Sequence, residues 1–216
     1  MSGCRTHSRR VAESRQRFFQ GDHADSAQSL ESELEKKSGS EADVMRLDLA
    51  SALLADGRPA EAEELLRTVR DRWDILEGKS LTDSAASYLT DDRKRNYSGS
   101  DFERVMLRVY LTLADLCDDN SDSLAYSLQI NMKQQQLFEA ARHRDAETTG
   151  DIYPPLAIGA YLHGMLREQT HSDYNGAARA YENAAKWAPD FKLATWDLER
   201  ATHGVHSARG HGVVYV

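Results

Sequence analysis

Histidines, cysteines and clustered carboxylates supply whatever bond chemistry this chain has, and each type must meet a spatial requirement. The chain holds eight histidines in 216 residues. His203, His206 and His211 gather near its end. A zinc site needs a tetrahedral set of nitrogen, sulfur or carboxylate ligands. That segment contains Gly204 and Gly210, has no helical frame, and offers no carboxylate or thiolate to complete a set. It reads as solvated chain. His163 and His171 stand eight residues apart, too far for chelation across one helical turn, and are expected to pack or cap. No metal or cofactor site is expected.

Nucleophilic catalysis needs an activated Ser or Cys on a tight turn beside a base. Tyr97-Ser98-Gly99 resembles half of such an elbow, but no strand precedes it, and Ser100 with Glu103 reads as a helix capping box. There is no phosphate-binding P-loop sequence. Gly210-His211-Gly212 leads into an apolar run rather than a helix N-terminus. Glu61, Glu63, Glu64, Asp118 and Asp119 are expected on solvated faces and turns. The chain is therefore expected not to be an enzyme. Cys117 closes an apolar run from Val109 and is expected to pack as a small hydrophobe. Cys4 follows Ser2-Gly3, a small-small-Cys sequence like the end of a bacterial lipoprotein signal, although no apolar stretch precedes it here.

A binding surface is the remaining kind of function. Arg104 and Arg108, at i,i+4, would set two positive charges on one helical face, able to hold a carboxylate or acidic segment of a partner. The alternative is pairing with Glu103 or nearby aspartates. Tyr97 and Phe102 are candidate groove aromatics, or they pin their turn to the helices around it. The net charge of -8 repels phosphate backbones, so nucleic acid is not expected as a partner. The one dense basic run, Arg93-Lys94-Arg95, follows Asp91 and Asp92 and reads as a solvated loop.

The elements that must position these residues are helices. Composition is 40% hydrophobic and 29% charged, with only 4 prolines, which suits thin layers of amphipathic helix. Apolar spacing near 3.6 predicts helices over 9–20, 23–37, a segment after a capping box at Ser40–Asp43, 60–73, 101–117, 122–143, a segment from Pro154-Pro155 to Gln169, one before Pro189, and 191–201. A short helix is expected over Leu81–Leu89 in an otherwise polar stretch, and a polar loop over Arg144–Asp151. Phe191, Leu193, Trp196 and Leu198 are expected to cap the last layer. Gly21 and Gly57 fall at equivalent helix-to-helix turns, 36 residues apart, close to the roughly 34-residue period of a tetratricopeptide repeat. Gly21, Ser26 and Leu30 match Gly57, Ala62 and Leu66, and Ala177, Tyr181, Ala184 and Pro189 give the strongest such pattern. The fold class expected is all-α: a TPR-like solenoid of antiparallel helical hairpins with a short strand-like C-terminal tail. Residues 1–8 form a tail, 9–202 the repeat domain, and 203–216 a tail whose Val213–Val216 run is expected to lead into a missing β region.

Together these segments resemble a family of largely uncharacterised bacterial envelope lipoproteins that join a TPR-like helical region to a small β region. The carrying residues are Ser2-Gly3-Cys4, Gly57 to Ala62, Tyr97 to Val105, Asp173 to Pro189, and Gly210 to Val216. The resemblance covers nearly the whole chain, and its most specific part is the Tyr97–Val105 turn. It implies export and membrane attachment only through a lipid on Cys4, and it supplies no catalytic residues. The expected function is a non-catalytic scaffold that binds a protein partner in its helical groove, facing the periplasm if a signal precedes Cys4. Two alternatives stand beside it. One is a cytoplasmic TPR adaptor in which Ser2-Gly3-Cys4 is coincidental. The other is a hydrolase or ligand-binding enzyme, whose site against the missing β region would draw His163, His171 and carboxylates together.

Overall fold

The computed structural model describes residues 11–83, 97–119, 121–144 and 155–203. Among the described residues the fold is all-α. Nine helices follow one another: α1 (Ala12–Gln20), α2 (His23–Leu34), α3 (Gly39–Ala55), α4 (Pro59–Asp83), α5 (Asp101–Cys117), α6 (Ser123–Arg144), α7 (Ala157–Gln169), α8 (Tyr174–Trp187) and α9 (Lys192–Thr202). Cys4, Arg93–Arg95, His206, His211 and the expected strand Val213–Val216 lie outside the described residues, as do the loop 145–151 and most of Leu81–Leu89. The chain divides into two compact units, 1–99 and 100–216. None of the described helices is long and apolar enough to cross a membrane.

In the first unit each helix packs on its neighbour in sequence, α1 on α2, α2 on α3 and α3 on α4. The two expected glycine turns have one geometry. Gly21 at φ 91° lets its N–H reach Phe18 O at 3.1 Å and the Asp22 N–H reach Arg17 O at 3.0 Å. Gly57 at φ 75° repeats it, with Gly57 N–H to Leu54 O at 3.2 Å and Arg58 N–H to Leu53 O at 2.9 Å. Both are Schellman turns, which favour glycine because the left-handed residue carries no Cβ penalty. Ser26 and Leu30 are buried after the first, Ala62 and Leu66 after the second. Ser26 Oγ donates to Ser14 O at 2.8 Å, so this polar pair satisfies itself where α1 and α2 approach.

Two boundaries and the burial of one carboxylate in this unit differ from expectation. The α3 helix starts at Gly39, and its N-cap Ser38 makes no side-chain cap bond, so the Ser40–Asp43 capping box does not form. Asp43 is instead buried, with Arg46 at 3.1 Å and Arg72 of α4 at 3.2 Å. The α4 helix continues ten residues beyond Trp73, because a lone Gly78 costs only about 1 kcal/mol and no proline intervenes. Glu63 is buried rather than solvated, beside Ala62 on the broad inner face of α4, with Arg67 at 3.3 Å.

The second unit packs α5 on α6, α6 on α7, α7 on α8 and α8 on α9. The expected capping box opens α5: Ser100 Oγ accepts from the Glu103 N–H at 3.3 Å, and Glu103 accepts from the Ser100 N–H at 2.7 Å. Asp115, buried near the end of α5, accepts from the Asp122 N–H at 3.1 Å and from the Ser123 hydroxyl, capping α6. Val105, Val109, Ile130, Leu137 and Leu162 form a core. Small residues set the helix separations. A Cβ on Gly159 would lie 2.3 Å from Ile130, and one on Gly164 would lie 2.7 Å from the Tyr181 ring. Tyr181 fills that space between buried Ala177 and Ala184. Its hydroxyl donates to Glu168 at 2.9 Å, and Glu168 is ion-paired with Arg200 of α9.

Cys117 is exposed, contrary to its expected packing, because it is the last residue of α5 and lies beyond the buried run ending at Asp115. The last helix caps with only part of its expected set. Phe191 and Leu198 pack inward beside Ala194 and Ala201, whereas Leu193 and Trp196 face outward, Trp196 being 60% exposed. Alanines at 194 and 201 define the buried stripe, and positions 193 and 196 fall on the other side of it.

Candidate functional site

The charge and aromatic candidates around residue 100 are largely occupied by local structure. Arg104 lies 3.7 Å from Asp101, and Arg108 is 5% exposed, donating to Arg104 O at 2.9 Å. Arg108 thus presents little charge to solvent, and the two guanidiniums do not form an open pair. Tyr97 meets buried Trp73 edge to face at 6.0 Å. Gly99, at φ 80°, brings its backbone against the same indole, where a Cβ would sit 2.3 Å away. Phe102 remains 45% exposed at the start of α5.

The concavity of the second unit lies elsewhere. An open cleft of about 780 Å³ is walled by α6 and α8 and floored by α7. Its polar lining is mostly amide: Asn131, Gln134 and Gln135 from α6 face it, with Asn175 and Asn183 from α8. The charges are those of Arg167, Arg179 and Asp173; Phe138, Pro155 and Trp187 add apolar surface.

Local sequence explains how α8 presents its side of the cleft. Asp173 is the N-cap, accepting from the Gly176 N–H at 2.8 Å. A Cβ at 176 would collide with that carboxylate, so glycine there lets the cap close. The Gly176 N–H, followed by Arg167, holds the Asp173 carboxyl below its usual range. With Ala177, Tyr181 and Ala184 turned inward, the opposite ridge carries Asn175, Arg179, Asn183 and Trp187 at successive i,i+4 positions.

Among the described residues, His163 is the expected histidine with a buried ring, and it lies in the cleft floor. His163 is 7% exposed, and burial, followed by the charge of Arg167, lowers its pKa from 6.5 to about 4. Its Nε2 accepts from Arg167 Nε at 2.6 Å, which places the ring proton on Nδ1. Nδ1 faces Ser127 Oγ at 2.9 Å, and that hydroxyl donates to Leu124 O at 2.8 Å. Donation therefore runs from Arg167 through His163 and Ser127 to a carbonyl. A nucleophile needs the reverse, a serine giving its proton to the imidazole, and Ser127 is wholly buried. His171 is separate, exposed, and 3.2 Å from the Tyr174 hydroxyl. His203 faces Glu199 O at 2.7 Å.

No family model matches the chain, and neither the curated proteins nor the solved structures yield a match. The cleft must be read from its own chemistry.

Two amides in it have unspent capacity. Gln134 Oε1 accepts from the Leu156 N–H, while its buried Nε2 has no hydrogen-bond partner. The buried Oδ1 of Asn131, one helical turn away, has none either. Both atoms are closed off from the cleft surface, so the amides an occupant would meet are the exposed ones of Asn175 and Asn183. Sequence reading passed over Asn131, Gln134, Asn175, Arg179 and Asn183. The available signal was the polar i,i+4 ridge opposite the Ala177–Tyr181–Ala184 face.

Proposed function

We propose that this chain is a non-catalytic scaffold that holds a segment of a protein partner in the cleft between α6 and α8. The observation that carries the reading is the lining itself: side-chain amides and arginine, with Asn175, Arg179 and Asn183 exposed along one wall. Such groups recognise polar atoms without making or breaking bonds. The reversed donation through His163 and Ser127 supports binding over hydrolysis.

The finer architecture belongs to the same proposal. Consecutive packing, Schellman turns repeated after 36 residues, and the Ala177–Tyr181–Ala184 face support a TPR-like solenoid of hairpins. Stacked hairpins create extended concave surfaces suited to peptides. The resemblance to envelope lipoproteins adds acylation of Cys4 and a place in the bacterial cell envelope. A stable interface should bury on the order of 1,200 to 2,000 Å² in total, so the partner would extend beyond the cleft.

Affinity capture from envelope extracts with the full-length protein tests the binding reading. A partner retained by the parent and by Arg104→Ala, but lost when Asn175 and Asn183 are both changed to Ala, is the expected result. Capture that depends on Arg104 and ignores the cleft would move the site to α5. Metabolic labelling with a radioactive fatty acid, lost in Cys4→Ser, tests the anchor.

A further inference from the structure

We infer that the occupant of the cleft is an extended peptide carrying an acidic side chain and, three or four residues away, a large apolar one. The inference rests on the scaffold reading and deepens it by naming the chemistry of the bound segment.

Hydrogen bonding indicates a peptide main chain. Asn175 and Asn183 on the α8 wall are exposed side-chain amides, each both donor and acceptor. A peptide unit offers one of each, its C=O and its N–H.

Spacing indicates an extended chain. Residues four apart on a helix rise about 6 Å. Two residues of extended chain advance about 6.6 Å, returning the same edge of the backbone. The ridge Asn175, Arg179, Asn183 and Trp187 can therefore follow every second residue of an extended peptide. From 175 to 187 the ridge rises about 18 Å, which corresponds to roughly five extended residues.

Charge places the acidic residue. Arg167 is already engaged by Asp173 and His163. Arg179 is exposed, and Asp173, the carboxylate whose field it feels, is held by the Gly176 N–H and Arg167. Two arginines stand against one aspartate, and His163 is neutral, so the cleft is locally positive in a chain of net charge -8. An added carboxylate meets Arg179. Trp187 lies eight residues further along the same ridge, about 12 Å or three to four extended residues away. It supplies the apolar end, with Phe138 on the facing wall.

The test is an array of acetylated, amidated nonapeptides probed with the full chain. Asp or Asn occupies one position, and Leu or Ser the positions three and four residues to either side. Binding should require both Asp and Leu, and replacing Asp by Asn should weaken it roughly ten- to hundredfold. Arg179→Gln should abolish the preference for Asp over Asn while retaining the preference for Leu. Asn183→Ala should weaken all peptides alike, as should methylating the peptide nitrogens. Lys186→Gln, a charge removal on α8 outside the cleft lining, should change nothing. Circular dichroism of each variant separates lost binding from lost fold. Retained Asp preference in Arg179→Gln, indifference to N-methylation, or an array without binders would overturn the inference. If a partner is still captured from extracts in those cases, the scaffold reading survives; if none is captured either, both fail.

Discussion

Asp43 in the first unit and the cleft amides in the second are both polar groups carried on packed helices, and their surroundings treat them differently. Asp43 is enclosed by Arg46 at 3.1 Å and Arg72 at 3.2 Å, ion-paired on both carboxylate oxygens although its Oδ2 has no hydrogen-bond partner. Burial raises its pKa despite those arginines, and the group is used up in tying α3 to α4. Asn175 and Asn183 line an open concavity with their amides exposed. The same helical scaffolding thus encloses its polar groups in one place and holds them ready in another. An ion pair between packed helices fixes structure, whereas amides exposed in a cleft are open to a ligand.

The comparison can be broken first by removing a part that only the scaffold needs. Tyr181→Ala should lower the unfolding free energy by about 3–5 kcal/mol, as for other large buried aromatic truncations. Denaturant titration gives the total, and hydrogen exchange should show the lost protection in α7–α9. A loss below about 1 kcal/mol would contradict the packing of Tyr181 against Gly164.

Acid should find His163 next. Its folded pKa lies below its unfolded value, so the unfolded chain takes up a proton that the folded chain refuses. The stability contributed by neutral His163 is complete above pH 6.5 and drains away as pH falls toward about 4. Linkage puts the loss on the order of 2–3 kcal/mol for so buried a ring. Subtracting the unfolding curve of His163→Gln from that of the parent isolates it. A difference that stays flat between those pH values would show that the imidazole is not held neutral. Asp43 works in the opposite sense: its raised pKa favours the folded state below 3.8 and withdraws that support as pH rises through the folded value.

Gly99→Ala should cost about 1–3 kcal/mol, since a Cβ there meets a buried indole and the positive φ disfavours alanine. Tryptophan fluorescence should report the shift of Trp73. The smallest effect sharpens the contrast most. Asn183→Ala should leave stability within about 0.5 kcal/mol, because the residue is exposed and supports no packing. Were it to destabilise the fold strongly, the cleft amides would be structural like Asp43.

The legible parts of the fold were those governed by local chemistry. The Ser100–Glu103 box was readable because a capping pair needs only residues three apart. Gly21 and Gly57 were readable because a Schellman turn demands a residue tolerant of φ near +80°. The end of α4 was not, since the mixed residues between 74 and 83 hold no proline or cap that would fix where the helix stops. Asp43 misled for a related reason. A carboxylate near a helix start is ambiguous between cap and core partner until Arg72 arrives from another helix.

The candidate site was less legible. Arg104 and Arg108 share a helical face by arithmetic, but burial and the Asp101 pairing decide what that face can offer. The cleft residues come from three helices separated by tens of positions, and no single window of sequence contains them.

Taken alone, the order of residues determined the all-α fold of the described residues, its main turns and its best-packed faces, because hydrogen bonding along a helix and apolar periodicity act over a few neighbours. Only the tertiary arrangement decided which polar side chains are consumed and which remain available. That distinction depends on who stands opposite in space, as Arg72 does for Asp43.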